Sequence, residues 1–106
     1  ILAQFRTNPP KEINGVPIIA MEDYQAQKHM DLIAGQERMI DLPKSNVLKF
    51  FLGDDSWFTV RPSGTEPKAK FYFAVKGTSL EESKKRLEAL QHAVMDLAQE
   101  MMKAGV

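Results

Sequence analysis

Three apolar, aromatic-rich segments follow one another between residues 47 and 76 and constrain the fold more than any other feature. The first two, at 47–52 and 56–61, are separated by the turn sequence Gly53-Asp54-Asp55 and therefore predict a β-hairpin. The third, at 68–76, alternates apolar with polar residues, as a strand does when one of its faces is buried. Together they predict an antiparallel sheet whose apolar face must be covered by another element.

The C-terminal quarter of the chain is predicted to supply that cover as a long helix. Ser79 and Glu82 have the spacing of a capping box at a helix N-terminus. Apolar residues then recur every three, four or seven positions, up to a helix end near Met102: Leu80, Leu87, Leu90, Val94, Leu97 and Met101. A helix packed on an antiparallel sheet of three to four strands gives an α+β fold.

The N-terminal half is less regular. Asn14-Gly15 predicts a turn, and the residues after it suit a strand. Because Pro17 has no backbone N–H, either this strand lies at a sheet edge or Pro17 lies at its beginning. Residues 24–46 are interpreted as a long excursion that could contain a short helix. Pro9-Pro10 blocks helix continuation, so residues 1–10 are assigned to a linker or to the end of a preceding element. Residues 11–106 are predicted to form one domain.

Composition excludes several classes of protein. Fourteen basic residues balance fourteen acidic ones, so no bulk charge draws the chain to nucleic acid or to an anionic membrane. There is no cysteine, which excludes disulfide scaffolds and thiolate chemistry, and no apolar run has the length of a membrane-spanning helix. We expect a cytoplasmic protein without a signal peptide. Because the chain begins with Ile1, we also expect it to be a piece of a longer protein.

The segment from Arg61 to Lys68 has the residues of an anion-binding loop. The Arg61 guanidinium can donate two hydrogen bonds to one phosphate, and the Ser63 and Thr65 hydroxyls add further donors. Gly64 between them allows the backbone to approach a ligand closely, and Lys68 raises the local positive potential. From the residues alone, an anion site and an ordinary inter-strand loop are equally good interpretations.

The sequence RPSGTEPKAKFY, which begins at Arg61, resembles the phosphate-binding loop in the C-terminal (fourth) domain of the α-D-phosphohexomutases. The longer run from Leu42 to Gly77, together with PPKEINGVPI near the start, resembles the phosphoglucomutase branch of that family. The resemblance implies a small α+β domain with a TATA-binding-protein-like sheet. It also implies that Arg61, Ser63, Gly64 and Thr65 hold the non-reacting phosphate of the substrate, with Lys68 as a weaker candidate.

The resemblance further implies what the whole enzyme does. Family members move a phosphoryl group between C1 and C6 of a hexose through a bisphosphorylated intermediate, which for a phosphoglucomutase interconverts glucose 1-phosphate and glucose 6-phosphate. Mg²⁺ and a hexose bisphosphate activator are expected for the full-length enzyme, whereas this domain is expected to contain no catalytic residue and no metal ligand. The expected partners are the phosphosugar and the other domains of the same chain, and this domain alone should be inactive.

Two alternatives remain from the sequence. The chain could be the same domain of a phosphomannomutase, a phosphoglucosamine mutase or a phosphopentomutase. It could instead be a stand-alone anion- or RNA-binding module that stacks bases on its aromatic residues. We favour a core role for Trp57 and the five phenylalanines from Phe50 to Phe73, and we interpret the carboxylate pairs Glu22-Asp23 and Asp54-Asp55 as solvated turns rather than metal ligands. His29 is left without a role, and His92 is predicted to be solvated.

Overall fold

A computed structural model describes residues 2–7, 9–62 and 69–104. Within them two helices and seven strands follow in the order α1 (Leu2–Thr7), β1 (Glu12–Ile13), β2 (Val16–Asp23), β3 (Lys28–Asp31), β4 (Gln36–Met39), β5 (Leu48–Leu52), β6 (Trp57–Pro62), β7 (Ala69–Ala74) and α2 (Leu80–Ala104). The sheet has the strand order β4-β3-β2-β5-β6-β7, with β1 paired to β2 outside this order. All these strand pairs are antiparallel. The α+β class and the long C-terminal helix are confirmed, but the described sheet has seven strands rather than three or four.

The core lies between one face of the sheet, here called the inner face, and the two helices. Phe50 on β5 and Phe58 on β6 are opposite each other, and their rings stack with centroids 4.8 Å apart. Phe5 from α1 packs against both rings, at centroid distances of 5.8 and 6.4 Å. All three side chains are fully buried, and α2 adds further buried residues to the same core: Leu90, Val94 and Ala98.

The opening segment, assigned from the sequence to a linker or to the end of a preceding element, contains helix α1. This helix ends at Thr7, in agreement with the break that Pro9-Pro10 predicts. The burial of Phe5 shows that this part of the segment is packed into the domain. A single aromatic residue has no periodic pattern around it, so the sequence contains no signal for this contact.

The turn at Asn14-Gly15 is confirmed. Both residues have positive φ, 51° and 80°, as a two-residue hairpin turn between β1 and β2 requires. Pro17 is the second residue of β2 and pairs with Glu12 on β1, so its position at the beginning of a strand is also confirmed.

The interpretation of residues 24–46 as an excursion with a short helix is wrong. Strands β3 and β4 form a hairpin in this region, and their turn is stabilised by the Asp31 carboxylate, which accepts hydrogen bonds from the backbone N–H groups of Ile33 and Ala34 at 3.0 Å. The hairpin is largely exposed, including Met39 and, at 76% exposure, Ile33. Because neither of its faces is deeply buried, it lacks the alternating pattern by which a strand is recognised.

Helix α2 begins as predicted and extends slightly further, to Ala104. The Ser79 hydroxyl accepts a hydrogen bond from the Glu82 backbone N–H at 3.1 Å, and the Glu82 carboxylate accepts one from the Thr78 hydroxyl. The prediction that Leu80 belongs to the buried stripe is wrong, since it is 89% exposed. Leu80 is the first residue of the helix, whereas the buried residues of α2 begin at Leu90.

The prediction that Trp57 and all five phenylalanines pack in the core is also wrong in part. Phe51 and Trp57 are opposite each other in β5 and β6 and are only partly buried, on the face that neither helix covers. Successive residues of a strand point to opposite faces, so Phe50 and Phe51 cannot both enter one core. This second face is here called the open face. Along one row of cross-strand partners it carries Glu22, Lys49, Thr59 and Tyr72.

Candidate functional site

The predicted phosphate-binding segment, residues 61–68, includes the end of β6 and the loop 63–68 that joins β6 to β7 at one end of the sheet. The last two residues of β6 pair with the first two of β7: Arg61 is opposite Lys70, and Pro62 is opposite Ala69. The sheet therefore holds both ends of the loop side by side. Four of the five predicted site residues lie in the loop, outside the described residues: Ser63, Gly64, Thr65 and Lys68. The fifth, Arg61, is described.

Arg61 is exposed on the open face, at the point where β6 enters the loop. Its guanidinium carbon lies 5.5 Å from the centre of the Tyr72 ring, within the distance of a cation–π contact. No carboxylate among the described residues forms an ion pair with Arg61. The hydrogen-bond donors of this guanidinium are therefore not engaged by any described acidic side chain, as a site for an external anion requires.

Lys70 adds positive charge at the same place. It is exposed directly opposite Arg61, and no described carboxylate pairs with it either. Two like charges opposite each other on neighbouring strands destabilise the sheet slightly unless an anion lies between or above them. The arrangement favours a negatively charged ligand at this end of the sheet.

A buried ion pair stabilises the same end of the sheet on its inner side. Asp23 ends β2 and pairs with Leu48 at the beginning of β5, so it lies at the end of the sheet that carries the loop. Its carboxylate is buried and accepts a hydrogen bond from the Arg6 Nε at 2.9 Å, and the same guanidinium donates to the Asn46 side chain at 3.0 Å. This network joins α1 to the segment before β5. The interpretation of Glu22-Asp23 as a solvated turn is therefore wrong.

A cluster of titratable groups lies two strands away on the open face. The Glu22 carboxylate accepts a hydrogen bond from the Tyr24 hydroxyl at 2.7 Å, and the Nδ1 atom of His29 lies 2.9 Å from its other oxygen. Burial by itself raises the pKa of Glu22, but the hydrogen bonds from Tyr24 and His29 and the nearby charges of His29 and Lys49 outweigh it and leave this pKa below its ordinary value. Burial, with the hydrogen bond to Glu22, raises the pKa of the Tyr24 hydroxyl. The cluster gives His29 a structural role, which the sequence left unassigned.

The aromatic residues of the open face are covered by cations. The Lys49 ammonium lies 4.3 Å from the centre of the Trp57 ring and 4.9 Å from that of Phe51, and Arg61 lies over Tyr72. A base-stacking platform needs aromatic rings that are free to receive a base. Because cations already lie over these rings, the arrangement does not favour the RNA-binding alternative.

The described residues include no group of three His, Cys, Asp or Glu side chains placed to hold a metal ion. Among the same residues, no helix is long and apolar enough to cross a membrane. The side chain of His92 is 87% exposed on α2, as predicted.

Arg61 is evident from the sequence as a candidate anion ligand, whereas the residues that surround it are not. Tyr72 and Lys70 belong to the polar face of the third predicted strand, so the alternation of that strand already placed them together. Only the pairing of β6 with β7 shows that this face is also the face of Arg61. For Arg6 with Asp23, 17 residues apart, no spacing or motif in the sequence could have indicated the contact.

Comparison with known proteins identifies the class of this chain. A family model described as "Phosphoglucomutase/phosphomannomutase, C-terminal domain" matches residues 7–103. A protein named "Phosphoglucomutase" from Staphylococcus aureus (strain MRSA252) is 39% identical over 90 residues, which cover 85% of this chain and 16% of that protein. One of the same name from Staphylococcus saprophyticus is 35% identical over 89 residues, covering 84% of this chain and 16% of that protein. No solved structure matches the chain significantly.

The chain therefore belongs to the phosphoglucomutase/phosphomannomutase family and matches its C-terminal domain. The family resemblance inferred from the loop and its flanking strands is confirmed. The chain spans only 16% of the length of the phosphoglucomutases it matches, and the match includes the whole of the predicted loop at 63–68.

Proposed function

We propose that this chain is the domain of a phosphoglucomutase-type enzyme that holds the non-reacting phosphate of a hexose phosphate. The observation that carries the proposal is Arg61: it lies exposed at the entrance of the family's predicted phosphate loop, beside Lys70 and without a described carboxylate partner. Ser63, Gly64 and Thr65 would complete the site from the loop, with Lys68 as a weaker contributor. A bidentate arginine and clustered hydroxyl and backbone donors are a chemically suitable set for a phosphate dianion.

In the complete enzyme, this contact would contribute in two ways. Binding a phosphate that does not react provides binding energy far from the reacting oxygen, which positions that oxygen for transfer. A domain that closes on the substrate through this phosphate would also exclude water from the reaction, so that the phosphoryl group is not lost to hydrolysis.

The remaining parts of the activity are assigned to the enzyme outside this chain, as the family resemblance implies. These parts are the catalytic residues, the Mg²⁺ ion and the response to a hexose bisphosphate activator, and we propose that the chain alone does not catalyse the interconversion of glucose 1-phosphate and glucose 6-phosphate. We further propose a cytoplasmic enzyme, in agreement with a chain that contains no cysteine.

An amide-resolved NMR titration of the chain tests the phosphate site directly. We expect inorganic phosphate and glucose 1-phosphate to shift the same resonances, those of residues 61–70, with affinities of about 1 mM (~4 kcal/mol). Because a charged hydrogen-bonded contact is lost, Arg61→Ala should weaken binding by about 10- to 100-fold. The matched control is Arg38→Ala, which removes an exposed arginine from β4 at the far edge of the sheet and should leave binding unchanged.

Kinetics of the intact enzyme with two sugar phosphates test whether this domain contacts the sugar as well as the phosphate. Because this domain contacts only the phosphate, Arg61→Ala should lower kcat/KM about 100-fold for glucose 1-phosphate and by the same factor for mannose 1-phosphate. An unchanged phosphate affinity in the Arg61→Ala chain would contradict the proposed function. Loss for one sugar alone would show that the domain reads the sugar as well as the phosphate.

A further inference from the structure

We infer that Tyr72 is a positioning residue: its ring holds the Arg61 guanidinium over the open face, so that the bound phosphate lies on this face rather than on the inner one. The inference rests on the proposed function, because it assumes that Arg61 is the phosphate ligand. Tyr72 lies outside the loop, and its position determines the face of the sheet on which the phosphate binds.

The strand register brings the two side chains together. Arg61 is opposite Lys70, and Tyr72, two residues further along β7, is opposite Thr59. Arg61 and Tyr72 are therefore diagonal neighbours on the same face, a separation that a long side chain can bridge. The resulting distance from the Arg61 guanidinium carbon to the ring centre is 5.5 Å.

The contact with the Tyr72 ring leaves the Arg61 guanidinium able to bind a phosphate. A guanidinium carries five N–H donors, and a contact with a single aromatic ring cannot occupy all of them. Tyr72 therefore restrains Arg61 and leaves N–H donors for a ligand. A restrained side chain loses less conformational entropy when a ligand binds, so binding is tighter than with a freely rotating arginine.

The surroundings place the ligand on the open face. Lys70 is exposed on the same face as Arg61, whereas the inner side of this end of the sheet is occupied by the buried Asp23 carboxylate and by aromatic residues of the core. A phosphate near Asp23 would be repelled, and the packed core has no room for it. Tyr72 itself is 47% exposed, so a phosphate held by Arg61 would come close to the ring edge.

The open face also offers a matched control. Lys49 lies over Phe51 and Trp57 as Arg61 lies over Tyr72, and these two rings form a cross-strand pair at the end of β5 and β6 away from the loop. Phe51→Leu therefore removes a ring from a cation–aromatic contact on the same face but leaves the contact of Arg61 intact. Any general effect of losing an open-face ring should appear equally in both variants.

The experiment compares Tyr72→Leu, Tyr72→Phe and Phe51→Leu by NMR, with inorganic phosphate as the ligand. In the unsubstituted chain we expect the Arg61 side-chain protons to be shifted upfield by the ring current of Tyr72, and the Tyr72 ring signals to move when phosphate is added. Tyr72→Leu should abolish the upfield shift and weaken phosphate binding about 2- to 5-fold, because a freely rotating arginine loses more conformational entropy when it binds. Tyr72→Phe and Phe51→Leu should bind within about 1.5-fold of the unsubstituted chain, because both retain an aromatic ring beneath Arg61.

Combining Tyr72→Leu with Arg61→Ala tests whether Tyr72 acts by positioning Arg61 or contacts the phosphate directly. If Tyr72 acts through Arg61, Tyr72→Leu should cause no further loss in a chain that already carries Arg61→Ala. An unshifted Arg61 resonance in the unsubstituted chain, or an unchanged affinity in Tyr72→Leu while Arg61→Ala still weakens binding, would overturn the inference and leave the proposed function standing. Unchanged binding in Arg61→Ala would instead overturn the proposed function. If Tyr72→Leu fails to fold, the Arg61 and Tyr72 shifts of the unsubstituted chain decide the question.

Discussion

The two faces of strands β5 to β7 are built from alternate residues of the same segments, yet they differ in almost every property. On the inner face Phe50 and Phe58 stack in complete burial, closed off by Phe5 from α1. On the open face of the same strands, Lys49 and Arg61 are cations that lie over aromatic rings. Lys49 is half-buried and Arg61 is exposed. The comparison shows how a small domain separates its packed core from an accessible surface of charged and aromatic side chains: the period of two along a strand assigns each to its own face.

Truncating one residue on each face should give the largest contrast. Phe58→Ala removes a fully buried ring from the stack and should destabilise the chain by about 3–5 kcal/mol. Thr59→Ala, the adjacent position on the open face, should change stability by less than about 0.5 kcal/mol. Urea denaturation of the two variants measures both effects, and a similar loss in each would mean that the open face is packed as tightly as the core.

The buried ion pair at the loop end of the sheet should matter more than an exposed pair. Asp23→Asn weakens the contact with Arg6 while retaining most of the side-chain volume, and should cost about 1–3 kcal/mol. Lys28→Ala removes an exposed pair, in which the Lys28 Nζ lies 3.5 Å from Glu37, and should cost less than about 0.5 kcal/mol. Equal losses in the two denaturation curves would show that burial does not strengthen the pair of Arg6 and Asp23.

The helix that closes the inner face depends on its N-cap. Ser79→Ala removes the acceptor for the Glu82 backbone N–H and should destabilise the chain by about 1 kcal/mol. Lys84→Ala, at an exposed position of the same helix, is the control and should have little effect because alanine suits a helix interior. If thermal unfolding of Ser79→Ala matched that of the control, the cap would not contribute to the packing of α2.

The smallest expected effect is a pH dependence on the open face. Because folding lowers the pKa of Glu22, the unfolded chain binds more protons near pH 4, and the stability contributed by this carboxylate is lost as the pH falls. The unfolding free energy of the unsubstituted chain relative to Glu22→Gln should therefore be highest above the ordinary glutamate pKa of 4.5 and should decrease below it. A difference that stays constant between pH 7 and pH 3 would show that the contacts with Tyr24 and His29 do not depend on the charge.

The sequence predicted the elements with strong periodicity and missed those without it. The hairpin of β5 and β6, strand β7 and the capped helix α2 were recognisable because each alternates or repeats around a buried face. The hairpin of β3 and β4 was not, since its strands are short and mostly polar and neither contains a fully buried residue. Arg61 and its neighbours were predicted to bind an anion from residue chemistry and family resemblance, which need no periodic pattern. Nothing local indicated the Arg6–Asp23 pair.

The sequence by itself determined which residues could form the proposed phosphate site, because the donors from Arg61 to Lys68 are contiguous and their chemistry does not depend on folding. Only the tertiary structure decided what lies around them. The pairing of β6 with β7 places Tyr72 and Lys70 beside Arg61, and the helices on the inner face leave this group on the open one. Register and layer arrangement arise from contacts between distant segments, and these are set by packing of the whole domain rather than by any local pattern.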